Sequence, residues 1–160
     1  MKILTIQNKI EEKFLRRPAK LFDFSKFSKK EIQELIKKMR KEMKAAQGVG
    51  LSANQIGLDM KVFVAEAPSE RGAMKFYAVF NPDIKSSSKE TFEIDEGCLS
   101  VPDFYGKVKR PAKIILNGFD KNGKNITIKA WGFLARVFQH ETDHLNGILF
   151  TDKISRNHHA

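Results

Sequence analysis

The segment His140-Glu141-Thr142-Asp143-His144 sets two imidazoles four residues apart, with a carboxylate directly after the first. On an α-helix, positions i and i+4 project from one face about a turn apart, so both rings can bind one metal ion. Glu141 can then reach a water at that ion as a general base. A catalytic metal site normally takes three protein ligands and keeps one position open, so a third ligand is required. The longer zinc-protease pattern continues to a glycine and a third histidine. Here Gly147 fits, but the last position is Phe150, which cannot bind metal. His158 and His159, the only other histidines, read as frayed tail rather than as ligands. The single cysteine, Cys98, remains. Its thiolate would complete a Cys-His-His set with water as the fourth ligand, assembled by the fold across the 42 positions between Cys98 and His140. A Cys-His nucleophilic pair is the rival chemistry, and it leaves Glu141 and the second histidine without a task. The plainer alternatives are an ordinary helix and a cysteine that is a small buried apolar residue.

These residues need elements to hold them. A helix is predicted from Gly132 to a stop at Gly147, with Phe133, Val137 and Phe138 facing inward. An amphipathic helix near the amino end is predicted over residues 29–46. Ser28 and Glu31 fit a capping box there, and Ile32, Leu35, Ile36, Met39 and Met43 form one stripe. Its opposite face carries seven of the basic residues. Between the helices, residues 62–65, 76–80, 113–117 and 125–130 read as strands, and Asn122-Gly123 makes a hairpin of the last two. Residues 66–73 and 86–89 read as surface loops. Around Cys98, Gly97 is read as permitting an unusual backbone and Pro102 as ending a local strand. The fold class is α+β: antiparallel or mixed β-sheets packed around a central metal-binding helix, with the amphipathic helix amino-terminal to them.

Composition bounds the rest. At 160 residues, 41% hydrophobic and 30% charged, the chain is expected to form one domain, residues 1–160, too apolar for disorder and without a membrane span. Its first ten residues lack the continuous apolar stretch of a secretory signal, and one cysteine allows no intrachain disulfide. A reducing, cytoplasmic location is expected. The net charge is +10, and residues 1–46 hold 14 Lys and Arg against 6 Asp and Glu, a local excess of +8. That excess reads as a solvated helix face. No aromatic-interleaved basic strand or zinc-finger spacing directs it to a nucleic acid, so no sequence-specific nucleic-acid partner is expected.

Three segments, Gly48-Val-Gly-Leu-Ser-Ala-Asn-Gln55, Glu96-Gly-Cys-Leu-Ser100 and Gln139-His-Glu-Thr-Asp-His-Leu-Asn-Gly147, resemble in order and spacing the three signature motifs of peptide deformylases. The resemblance extends from the amino-terminal region to about Lys153. That family removes the formyl group from the N-formylmethionine of nascent bacterial and organellar polypeptides. The resemblance implies that Cys98, His140 and His144 bind the metal and that Glu141 is the catalytic acid/base. It also implies that Gln55 and the backbone amide of Leu99 contact the formyl oxygen. Val49, Gly50, Ile94, Phe133 and Val137 would line the substrate site, and Glu96 and Arg110 would form a supporting ion pair. One divalent ion is implied, Fe(II) natively, with zinc, nickel or cobalt in preparations. The partners would be N-formylmethionyl nascent peptides and, weakly, the ribosome, with no membrane.

The departures are few. Ser52 stands where the family most often has alanine, a change expected to leave the metal chemistry untouched. Tyr105 stands where many bacterial members have a peptide-contacting arginine. Gly147 is followed by 13 residues here, and the long carboxy-terminal helix by which some relatives dock on ribosomes is expected to be absent. Two rival functions stay open. One is a zinc endopeptidase built on the same helix motif, and the other is a catalytically silent, basic ribosome- or RNA-binding homologue.

Overall fold

Val62, Phe63, Val64 and Ala65 are four consecutive residues with no exposed surface. A strand shows alternate residues to opposite faces, so such a run must be covered on both sides. In the computed structural model, which describes residues 2–69 and 71–155, this run opens the second strand of a five-stranded antiparallel sheet. The strands are β1 (Gly50–Ser52), β2 (Val62–Pro68), β3 (Met74–Ser87), β6 (Lys113–Phe119) and β7 (Asn125–Trp131), in the order β1-β2-β3-β6-β7. Two further strands, β4 (Thr91–Cys98) and β5 (Val101–Pro111), form a separate antiparallel ribbon. His158 and His159 lie outside the described residues.

Three α-helices accompany the sheets: α1 (Lys9–Leu15), α2 (Lys29–Ala45) and α3 (Gly132–Leu145). On one face of the large sheet, Ile32, Met39 and Met43 of α2 meet Leu51, Val62, Val64 and Phe80. On the other, Leu134, Ala135, Val137 and Phe138 of α3 meet Phe63, Ala65, Tyr77, Val79 and Leu116. The helix carrying the His-Glu-x-x-His segment is therefore the central one, packed against both sheets. It begins after Trp131 and ends before Gly147, whose φ of +77° stops it as expected.

The helix near the amino end begins with the expected reciprocal cap. Glu31 N–H donates to Ser28 Oγ (3.1 Å), and Ser28 N–H donates to Glu31 Oε2 (2.7 Å). Its outward lysines, Lys29, Lys30, Lys37, Lys38 and Lys41, are exposed, and Arg40 reaches Glu66 (2.8 Å). It is not the first helix. The seven-residue α1 precedes it, capped by Asn8, and of its residues only Leu15 is buried. The hairpin at Asn122-Gly123 forms as read, with Gly123 N–H donating to Asp120 O (3.0 Å).

The sheet reading falls short in three places. Strand β2 runs on through residues read as loop, as far as Pro68, and β3 runs through Asn81-Pro82 to Ser87, bending at Asn81 with φ +49°. The β4–β5 ribbon goes beyond the local strand expected around Cys98, and Pro102 lies inside β5 rather than ending a strand. Gly97 is needed for room rather than for an unusual backbone: a methyl carbon there would stand 2.5 Å from the ring of Tyr105.

Candidate metal centre

The ribbon brings Cys98 to α3. Its Sγ lies 3.1 Å from His144 Nε2, which in turn lies 3.1 Å from His140 Nε2. All three donor atoms fall within 4.8 Å of one another. The rings are held differently. His140 Nδ1–H donates to Glu96 Oε1 at 3.0 Å, which turns Nε2 toward the cysteine and His144. His144 Nδ1 is buried and has no hydrogen-bond partner among the described residues.

Burial pushes the Cys98 thiol up, yet the two imidazoles beside it outweigh burial and hold it well below its ordinary value. Burial likewise disfavours charge on His140, but its hydrogen bonds to Cys98 and Glu96 raise it to about 10. The two shifts are one coupling seen from both sides, a thiolate held beside an imidazole that carries positive charge. One thiolate sulfur and two imidazole nitrogens, all facing inward, are a donor set suited to a divalent transition metal, and the residues present fit such an ion.

Glu141 is buried beside the cluster. Burial pushes its carboxyl up, and the positive edges of His140 and His144, with a hydrogen bond from Ser52, oppose that without reversing it. Gln55 is buried in the short 3-10 helix Ala53–Ile56 that follows β1. Ser52 N–H donates to Gln55 Oε1 (3.0 Å), which turns Nε2 toward Ser100 Oγ (3.1 Å) and Cys98 Sγ (3.6 Å). The Leu99 N–H has no acceptor among the described residues.

A cleft of about 500 Å³ opens over these groups. Val49, Gly50, Ile94, Phe133 and Val137 all line it. Phe133, read as facing the core, is instead 49% exposed at the cleft, while Val137 is 4% exposed. Tyr105 covers Gly97 at the rim. Strand β1 forms one wall and, among the described residues, pairs with β2 alone, so the part of its other edge before Ser52 is open to a further strand.

Behind the cleft lies a buried ion network wider than the expected pair. Arg110 holds Glu96 through two bonds (2.5 and 2.9 Å), Arg136 adds a third (2.5 Å), and Arg110 also donates to Asp143 (2.8 Å). Glu96 lies well below the usual carboxylate range, because its bonds to His140 and Arg110 overcome the burial that would raise it. Arg136 and Asp143 were not singled out from the sequence. A charged residue among the inward positions of a helix, as Arg136 is between Phe133 and Val137, was the available signal, since a buried charge requires a partner.

Comparison with known proteins agrees with this geometry. The family model described as polypeptide deformylase matches residues 1–160. A peptide deformylase of Halothermothrix orenii is 43% identical over 157 residues, 98% of this chain and 96% of that protein. The crystal structure of a probable peptide deformylase from Synechococcus phage S-SSM7 superposes with a TM-score of 0.84 at 40% identity, covering 96% of this chain and 99% of the other. A class I type b peptide deformylase from Acinetobacter baumannii gives 0.87 at 30% identity, over 96% and 98%. With its whole length matched, the chain belongs to the polypeptide deformylase family.

Proposed function

We propose that the cleft is the site at which this chain removes the formyl group from the N-formylmethionine of nascent polypeptides. Cys98, His140 and His144 hold one divalent ion, Fe(II) in the cell. The observation that carries this reading is the meeting of one sulfur and two ring nitrogens within 4.8 Å, with the Glu141 carboxylate buried alongside. When bound, such an ion supplies Lewis acidity and brings the pKa of water down toward neutrality.

The chain's own groups do the rest. Glu141 removes the proton from the water that attacks the formyl carbon and later gives it to the departing amine. The attack places negative charge on the formyl oxygen, and Gln55 Nε2 and the Leu99 N–H are the donors set to receive it. Ser52 N–H holds the Gln55 amide with its donor end toward the cysteine, so that this donor is oriented before substrate arrives. The methionine side chain enters the pocket of Val49, Ile94, Phe133 and Val137, and the peptide lies along the free edge of β1 as an added strand. Formate and a peptide with a free amino terminus are released. This reading has the chain acting as one domain in the cytoplasm, on polypeptides still being made.

The test is a side-by-side assay of a formyl-Met peptide, its acetyl counterpart and an internally cleavable unformylated peptide. Formate release from the first alone is expected. Internal cleavage, or no formate release by iron-loaded protein, overturns the reading. The ligand assignment is checked separately. Cys98 is expected to react with a thiol reagent at least about tenfold faster after chelation than before. Cys98→Ala is expected to carry much less than one ion per chain. Equal thiol reactivity with and without metal removes Cys98 from the ligand set.

A further inference from the structure

Gly50 and Ser52 are alternate residues of β1 and so share one face of the strand, the face turned to Glu141. A methyl carbon on Gly50 would stand 2.6 Å from Glu141 Oε1 and 2.9 Å from the Cγ and Cδ behind it. The carboxylate therefore rests directly on the bare α-carbon. Two residues on, Ser52 has no exposed surface, and its Oγ lies 2.7 Å from Glu141 Oε2 and 2.9 Å from the Glu141 main-chain oxygen. Among the described residues, that hydroxyl is the only hydrogen-bond partner of the Glu141 carboxylate. From the sequence, serine in place of the commoner alanine is expected only to leave the metal chemistry untouched. The structure puts it in contact with the acid/base itself.

We propose that Ser52 is a positioning residue for the proton transfer: it pins Glu141 by Oε2 and leaves Oε1, the oxygen over Gly50 at the cleft, to take and return the proton. A Glu side chain turns about three bonds, and in a buried site one hydroxyl suffices to choose among its orientations. With alanine at position 52 nothing holds Oε2, and the carboxylate divides its time between poses of which only some reach the substrate. The single hydroxyl proton lies between Oε2 and the Glu141 main-chain oxygen, so the serine sits against α3 on both atoms of the residue it positions.

This inference rests on Glu141 being the general base, and the experiment separates the two claims. Wild type, Ser52→Ala, Glu141→Ala and the double variant are loaded with cobalt and assayed for formate release, for the cobalt absorption spectrum and for thermal midpoint. Ser52→Ala is a reduction to the family's commoner residue and is expected to fold. It should lower kcat by about tenfold, the scale of one hydrogen bond to a charged group, with KM within about twofold and the cobalt spectrum unchanged. In the Glu141→Ala background the same change should cost no further activity, and its effect on the thermal midpoint should shrink, because the partner is gone. A wild-type kcat in Ser52→Ala overturns the inference and leaves the function standing. So does a loss that appears in KM or in the metal spectrum, or one that persists undiminished without Glu141. Absence of formate release from the wild type removes the base assignment and the inference together.

Discussion

Glu141→Ala is expected to keep its metal and to lose turnover by about a thousandfold or more, within the range that removal of a positioned acid/base produces. The carboxylate is buried at the cleft and has its hydrogen-bond partner in Ser52 rather than in any of the three metal-site side chains. Its removal therefore leaves the Cys98, His140 and His144 donors as they are. Metal content per chain, measured on the same sample as kcat, distinguishes loss of the base from loss of the ion. Activity within about tenfold of wild type, with full metal, would place the proton transfer elsewhere.

The second large effect is on stability. Glu96→Ala strips the shared carboxylate from Arg110 and Arg136, which are 1% and 3% exposed. Among the described residues, it leaves these two buried guanidinium groups with Asp143 and two backbone oxygens as hydrogen-bond partners. Breaking a buried ion pair by removing one member costs about 3–5 kcal/mol. For a chain of this size that corresponds to a fall of roughly 10 °C in the thermal midpoint. The same variant deprives His140 Nδ1 of its acceptor, and metal affinity should drop by about ten- to a hundredfold. A melting temperature within about 2 °C of wild type would mean that water already reaches these arginines and that the network is not the support its burial implies.

The elements that carry their own signals could be read directly. Ser28 and Glu31 announce the start of α2, Asn122-Gly123 announces its hairpin, and the apolar spacing of α3 puts both histidines on one face. What could not be read is where charge goes inward. In the β4 segment Thr-Phe-Glu-Ile-Asp-Glu-Gly-Cys, Phe92, Ile94 and Cys98 fall on alternate positions, but the place between the last two, the one that is buried, is Glu96. The strand pattern fails at the position the site depends on. Asn81-Pro82-Asp83 reads as a turn by composition, yet the chain only bends there and the register to β6 shifts across it. The α1 segment exposes most of its surface, so its periodicity carries no information. In the metal site, the histidine pair is a local signal, whereas Cys98 takes its role from tertiary structure alone. Ser52 illustrates the remaining gap: residue size says nothing of its neighbour, and only the fold, across 89 positions, brings its hydroxyl to Glu141.

Arg136 has one further consequence. A hairpin of two strands is barely stable by itself in water. This one has the guanidinium of an α3 residue donating to main-chain oxygens on each of its strands, Phe92 O at 2.8 Å and Val108 O at 2.9 Å. Those two bonds couple the hairpin's backbone to the helix that bears both histidines. The two pieces are therefore expected to open together, with the amides of the cavity's lip exchanging with solvent no faster than those of its floor.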